Sequence, residues 1–375
     1  MVRALIRENA VACGWREFTG SNGVFSRADV VRGQQRLEYL DRFPEIRQKL
    51  NFVLRGTAEF ERQHVPAAGG VELQFDAATL WPYKLVAWVF ESLVKKFGGV
   101  EGRVGSELGF NLQTNTPVVH LQRVDGGWMV YTERGQILAK QVLVATNGYT
   151  SRLLPEFTNV IVPTQGQVVA LEAEVDGEKV KLEHTYGFWG SEEAKDNKAS
   201  TALALAEGNV PIQTDVMPAE RDDYLAQSQL AGQELVYGGG RRFADGAGWG
   251  VSCDARIDPA VSRFLRSDLL SGSSLDLRAL KSDAHGKTSG SMKAHMEWTG
   301  IMGYSRDWLP WVGPVSEQMG GGEGLWVCGG YTGHGMPVAP LSAVAVVGLM
   351  GGSRLEEVDV PKEFYSARDG RWDGC

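Results

Sequence analysis

The stretch that most constrains this chain lies near its end, from Gly324 to Gly351. Leu325-Trp326-Val327-Cys328 is a short apolar run with the residue types of a buried strand. Gly329-Gly330-Tyr331-Thr332-Gly333-His334-Gly335 follows, and four of its seven residues are glycine. Pro337 then stands where a helix can begin, since a first-turn residue needs no amide donor, and an Ala/Val-rich run continues to Met350. Strand, glycine turn and helix together bring backbone N–H groups and a helix N-terminus close to an anionic ligand. The same pattern also describes a tight strand-to-helix connection that binds nothing.

Composition narrows the classes. At 375 residues the chain exceeds the roughly 250–300 at which a single core stops growing, so two domains are expected. Apolar residues make up 43% and charged residues 22%, the balance of an ordinary globular protein. A net charge of −8 argues against a nucleic-acid surface, which needs a basic patch. Cys13, Cys253, Cys328 and Cys375 are scattered, with neither disulfide-like pairing nor zinc spacing, and read as reduced thiols. The six histidines have no metal-ligand spacing, so no metal is expected. No apolar run reaches the roughly 18–20 residues of a membrane span, and no leader or peroxisomal ending is seen. The expected location is the cytoplasm.

Residues 1–62 read as amphipathic helix, with Leu37, Leu40, Phe43, Ile46, Leu50 and Val53 at spacings of three and four. Leu80-Trp81-Pro82-Tyr83-Lys84-Leu85 opens a second helix, whose apolar stripe runs to Phe97 before Gly98-Gly99. Thr116–Val124, Trp128–Thr132 and Ile137–Lys140 form a meander of short antiparallel strands around Asp125-Gly126-Gly127 and Arg134-Gly135. Val142-Leu143-Val144-Ala145 has the character of a parallel strand buried on both faces, and it ends in Thr146-Asn147-Gly148-Tyr149. Ligands of open α/β sheets bind beyond such strand ends, which makes Ala145–Tyr149 a second candidate segment; a plain strand end is the alternative. From 160 to 313 strands at Gly166–Leu171, Glu234–Tyr237 and Ala294–Tyr304 interleave with polar stretches, and residues 189–222 and 270–292 are expected loops.

Six segments in order resemble the FAD-dependent oxidoreductases of the D-amino-acid oxidase and glycine/sarcosine oxidase type. They are Leu80–Leu85, Thr116-Pro117-Val118, Val144–Tyr149, Pro163–Gln167, Gly300–Gly313 and Gly329–Met336. The resemblance implies an α/β fold: an incomplete Rossmann-like FAD domain from residues 1–159 and 314–375, with an antiparallel-sheet substrate domain at 160–313 inserted. It implies FAD held non-covalently by Val118, Ala145, Thr146, Asn147, Gly148, Gly330, Gly333, Gly335 and Met336. A cysteine near Ile301–Tyr304 that carries the flavin in some relatives is not present. It further implies oxidation of a C–N bond in a small amine or amino acid, with hydride passing to the flavin. Backbone N–H groups and the helix start at Pro337 would then stabilise negative charge on the ring. His334, Arg241 and Tyr304 are the expected catalytic residues, with Arg242, Tyr186 and Trp298 as further cleft candidates.

One departure is plain. No G-x-G-x-x-G or G-x-G-x-x-A occurs, so the usual pyrophosphate-holding βαβ unit is not found. Either the sequence is N-terminally shortened, or the protein is a flavin-free, non-catalytic descendant serving as a binding or scaffold protein. In both cases an exposed sheet edge is expected, open to an oligomer or partner.

Overall fold

The computed structural model describes residues 1–98, 109–175, 177–190, 221–230, 232–280, 291–368 and 371. Its sixteen strands in these residues are β1 (Arg16–Val24), β2 (Leu50–Leu54), β3 (Gly70–Thr79), β4 (Val118–Val124), β5 (Gly127–Thr132), β6 (Gly135–Ala139), β7 (Val142–Val144), β8 (Ile161–Leu171), β9 (Glu174–Val175), β10 (Glu178–Lys179), β11 (Thr185–Gly190), β12 (Arg221–Gln227), β13 (Leu235–Gly239), β14 (Ala294–Ser305), β15 (Trp311–Pro314) and β16 (Leu325–Gly329).

Eight of them form one mixed sheet in the order β14-β8-β13-β12-β11-β1-β3-β2. Only β1 and β11 pair in parallel within it. Alternation gives this sheet two unlike faces. One carries Leu73, Tyr186, Phe188, Leu225, Tyr237, Val169 and Leu171, and packs on Val261, Leu265 and Leu269 of the Pro259–Ser271 helix to make the main core. That helix starts cleanly because Asp258 caps it, accepting from Ala260 and Val261 N–H, and ends at left-handed Gly272. The opposite face carries Trp189, Asp222, Tyr224, Trp298, Met302 and Tyr304, as their cross-strand pairings require.

Glycines in the middle of that second face let large side chains lie flat on it. A Cβ at Gly238 would strike the Tyr224 ring, one at Gly187 would strike Asn22 and the Trp189 indole, and one at Gly166 would come within 3.0 Å of the Met302 methyl.

A smaller sheet has the order β15-β16-β7, with β16 parallel to β7. The Gly335–Met350 helix packs on it through Ala345 and Val346, against Val312 and Cys328. The helix is apolar on every side, yet Leu341, Val344 and Val347 on its outer face are exposed. The meander β4-β5-β6 forms a third sheet, as expected, and shares a core with Phe157, Ile161, Trp311 and Val327.

The structure corrects two readings. Residues 1–62 are not uniformly helical. Helices occupy Val2–Glu8, Arg27–Leu40, Pro44–Arg47 and Ala58–Glu61, but β1 and β2 are strands of the large sheet. The stripe taken as one helix breaks after Leu40, restarts at Pro44 as a single turn that leaves Phe43 and Ile46 exposed, and resumes as the strand that contains Leu50 and Val53. Second, β7 is not buried on both faces. Val144 is buried, but Val142 and Leu143 are only half-buried, because β7 is the outermost strand of a three-stranded sheet. Of the loops expected at 189–222 and 270–292, residues 191–220 and 281–290 lie outside those described, while Trp189–Gly190 and Arg221–Asp222 belong to β11 and β12 and Leu270–Ser271 end the Pro259–Ser271 helix. Through β1, β2 and β3 the first eighty residues are hydrogen-bonded into the sheet otherwise built from 160–313.

Candidate active site

The glycine turn after β16 is held by two remote segments. Asn147 Oδ1 accepts the N–H of Gly330 at 2.9 Å and that of Tyr331 at 3.4 Å. Thr332 N donates to the Gly303 carbonyl at 2.8 Å, while Thr332 Oγ1 accepts from Ser305 N at 3.1 Å. The end of β14 is thereby tied to the turn that starts the Gly335–Met350 helix. Gly330, Thr332 and Gly333 all have positive φ, so the turn doubles back within four residues. His334 precedes the helix, its Nδ1 lies 2.8 Å from the Thr332 carbonyl, and no side chain caps the helix start. That leaves first-turn N–H groups without the usual side-chain acceptor.

Facing this turn is the glycine-floored side of the large sheet. Two aromatic side chains bridge the gap. Trp189 stacks on the His334 ring with centroids 6.2 Å apart. Tyr304 reaches from the other side: a Cβ on Gly333 would lie 3.3 Å from Tyr304 Oη. Beneath these walls stand Asp222, directly across the strands from Trp189, and Arg241. The Arg241 guanidinium lies 4.8 Å from the Tyr304 ring centre and 5.6 Å from that of Trp249, a stacked, partly desolvated position. Arg241 is 5% exposed, its Nε is 3.3 Å from Asp222 Oδ2, and its Nη1 has no hydrogen-bond partner among the described residues. Burial raises the Tyr304 phenol above its ordinary range, so it stays protonated at neutral pH. Burial likewise raises the Asp222 carboxyl, against the pull of Arg241.

The turn thus gathers Asn147, Gly330, Gly333, His334, Gly335 and Met336, and the sheet brings Tyr304 and Arg241 to it. Ala145, Thr146 and Gly148 flank Asn147 at the end of β7. Gly148 must be glycine for packing, since a Cβ there would press on the Met302 carbonyl. Val118 stands apart, at the start of β4, packed on the core shared with Leu121 and Trp128. Three expected cleft residues are placed elsewhere. Tyr186 is 2% exposed on the core face, stacked on Phe188. Arg242 donates from Nη1 to both oxygens of buried Asp223, at 3.0 and 3.2 Å, which ties it to the core carboxylate. Trp298 lies on the open face but pairs with Val168, six residues along β14 from Tyr304. Sequence reading missed Trp189 and Asp222. Both lie in stretches read as polar connection, and only the strand pairing reveals that they face the turn.

The profile of the FAD dependent oxidoreductase (DAO) family matches residues 1–349. The chain belongs to this family. No curated protein sequence matches it at the level required of a relative. Among solved structures, glycine oxidase from Geobacillus kaustophilus is similar at 16% identity and a TM-score of 0.65, covering 98% of this chain and 79% of its own. Iminodiacetate oxidase from Chelativorans sp. BNC1 gives 14% identity and 0.62, covering 97% and 80%. Fructosyl amine:oxygen oxidoreductase from Aspergillus fumigatus gives 14% and 0.57, covering 93% and 69%. At these identities the likeness is one of fold. The mixed α/β architecture is therefore that of the DAO-type FAD fold, and FAD is the cofactor of the family.

The residues present fit the ring end of such a cofactor. Gly333 has no side chain where a Cβ would press on Tyr304, and the helix start has no competing cap. No described helix is long and apolar enough to cross a membrane. Among the described residues no cluster of His, Cys, Asp and Glu could hold a metal.

Proposed function

We propose that this protein is an FAD-dependent oxidoreductase that oxidises a C–N bond of a small amino acid or amine in the cleft between Gly333-His334 and Arg241. One observation carries the reading: Arg241 is buried under Tyr304 and Trp249 with Nη1 unpaired among the described residues, and Tyr304 in turn reaches the glycine turn. FAD, when bound, supplies the hydride acceptor. This chain's own residues bind and orient. Arg241 offers N–H groups to a substrate carboxylate, and the Tyr304 hydroxyl, kept protonated, can donate beside it. Trp189 and Tyr304 wall the cleft and keep water from the reacting carbon. The N–H groups at Gly333, Gly335 and Met336, with the helix N-terminus and His334, would stabilise negative charge on the flavin ring. Asn147, flanked by Ala145, Thr146 and Gly148, holds that turn in place. Val118 contributes from the meander side. The cofactor side of the site draws on residues up to 159 and from 314 onward, and the substrate side on 160–313.

Covalent attachment has no cysteine to use between Gly300 and Gly313, which supports a non-covalent cofactor. The reading is tested by titrating the purified protein with FAD while recording its visible spectrum and melting temperature, then adding amino acids and following bleaching of the flavin bands. A second reading, a flavin-free binding protein of the same ancestry, draws on the exposed apolar face of Leu341, Val344 and Val347. Protein that stays colourless and gains no thermal stability with FAD establishes the second reading and removes the first. In that case the outer edge of β7 and the exposed Leu341-Val344-Val347 face become the surfaces for a partner.

A further inference from the structure

We infer that the outer edge of β14 pairs with the same edge of a second copy of this chain, antiparallel about a two-fold axis at Thr299. The inference stands apart from the cofactor and from the substrate reading. β14 is twelve residues long and is the last strand of the large sheet, paired on one side only, with β8. Alternate residues of such a strand turn their N–H and C=O groups outward. Two bonds fix which ones. The Gly303 carbonyl accepts from Thr332 N at 2.8 Å, and Ser305 N donates to Thr332 Oγ1 at 3.1 Å, so the odd-numbered residues face out. The outward groups of Glu297, Thr299 and Ile301 make no hydrogen bond among the described residues. Free edges are commonly guarded by shortness, lysine, proline or a bulge. The opposite edge, β2, is guarded in this way: it is five residues long, between Lys49 and Arg55. Met296 to Ser305 contains no lysine or proline, and the bulge of β14 lies before Met296.

The side chains select a second copy as the occupant. A two-fold axis at Thr299 sets Thr299 against itself, Glu297 against Ile301, Trp298 against Gly300 and Met296 against Met302. The outward residues of the two copies then oppose one another, and their open N–H and C=O groups are satisfied reciprocally. No like charges meet. Glu297 is the one charged residue from Met296 to Ser305, and it already holds Arg266 at 2.6 Å and Gln167 at 2.8 Å. Met296 and Trp298 are exposed on the open face, at 67% and 40%. Between Trp298 and Met302 the same face is bare, since a Cβ at Gly300 would meet nothing within 4 Å. The two-fold pairing lays the indole of each copy over the bare glycine of the other, across a non-hydrogen-bonded pair where side chains come closest. The nearest registers that keep the outward residues opposed set Gly300 against itself or Trp298 against itself, and lose this fit. The pairing also reaches the cleft. Met302 Sδ lies 3.7 Å from where a Cβ on Gly333 would stand, so Met296 of the second copy meets the residue that borders the glycine turn.

The test is light scattering during gel filtration over a series of protein concentrations. One strand pair is a small interface, so the native protein is expected to pass from the mass of one chain to that of two within the micromolar range. Gly300→Lys has room in the single chain but displaces the indole of the second copy. It should weaken the dimer at least tenfold and leave the circular dichroism spectrum unchanged. Register is read by cross-linking in a Cys253→Ser, Cys375→Ser background. There Trp298→Cys with Gly300→Cys should form a disulfide between chains on oxidation, because the two positions face each other across the axis. Trp298→Cys alone, and the background alone, should not. A native protein that stays monomeric at every concentration overturns the inference. So does a dimer that Gly300→Lys leaves intact, which would place the interface on another surface. If Gly300→Lys does not fold, the cysteine pair decides: cross-linked chains support the register, and their absence where the native protein is dimeric removes it.

Discussion

Asn147 Oδ1 and the N–H of Gly330 meet at 2.9 Å across 183 residues of sequence. The bond fastens the end of β7 to the turn after β16, the two places where an α/β sheet presents its ligands. Asn147 itself has φ of 48°, a left-handed conformation that Asn tolerates better than most residues. A Cβ at Gly303 would strike the same side chain, so the end of β14 is fitted around it.

Asn147→Ala is therefore expected to lower unfolding free energy by about 1–3 kcal/mol, the cost of leaving buried amides without an acceptor. Asn147→Asp keeps an acceptor and should lose less. Urea unfolding of the three proteins gives the ordering, and FAD titration should show weaker binding in the alanine variant. Equal stability of Asn147→Ala and the native protein would remove the bolt from this account.

Gly333 has φ of 77° and stands against Tyr304. Gly333→Ala adds the strain of a side chain in the left-handed region, about 1 kcal/mol, and also pushes on the tyrosine hydroxyl. Gly352, with φ of 93° and open space around it, is the matched control. Gly352→Ala should cost similar stability and leave FAD affinity alone, whereas Gly333→Ala should weaken it severalfold. The comparison of melting temperature with FAD dissociation constant separates backbone strain from a role at the cofactor.

How far the sequence could lead depended on whether a signal was local. Leu325 to Met350 was legible because a strand, a run of glycines and a proline-started apolar helix each carry their own pattern, and they fold as β16, the turn and the Gly335–Met350 helix. The Pro82–Phe97 helix and the meander were legible for the same reason. β1 was not. Its sequence Arg16–Val24 holds two glycines and few β-branched residues, and it is a strand because β3 and β11 pair with both of its edges. At the site, Arg241 and Tyr304 could be singled out by residue type. That Arg242 is spent on Asp223, and that Tyr186 faces the core, are matters of register, fixed by partners elsewhere in the sequence.

The two adjacent arginines should part company in experiment. Arg242→Met leaves Asp223 buried with one cation fewer, and breaking a buried pair of this kind costs on the order of 3–5 kcal/mol. Arg241→Lys retains a charge beside Asp222 but loses the planar fork and its stacking on Tyr304 and Trp249, so it should cost some stability, though less than Arg242→Met. Turnover of amino acids, or binding of carboxylates, should fall by one to two orders of magnitude in Arg241→Lys. If Arg242→Met folds normally and abolishes substrate binding, the assignment of the two roles is reversed.

Asp307 gives a pH test that does not depend on the cofactor. It accepts from Ser305 Oγ at 2.6 Å, Leu309 N at 3.1 Å and Arg368 Nη2 at 2.9 Å, and pairs with Arg371 Nε at 3.0 Å. Burial alone would push its carboxyl up, but the Ser305 hydroxyl and Arg371 more than offset this and hold it below the ordinary carboxylate range. A group whose folded pKa is depressed adds stability that is fully present above its unfolded pKa, near 3.9, and disappears as pH falls through the lower folded value. Asp222 and Asp223 are shifted the other way, so the acid limb of the native protein is a composite and only a difference is informative. Asp307→Asn should melt below the native protein at pH 7, and the gap should close as pH falls from about 4 toward 2. Ser305 also accepts from the indole of Trp311 at 3.0 Å and lies next to Tyr304, so the same variant should loosen the segment that positions the tyrosine. Melting curves across this pH range decide the matter: a gap that stays constant down to pH 2 would show that Asp307 contributes packing rather than charge.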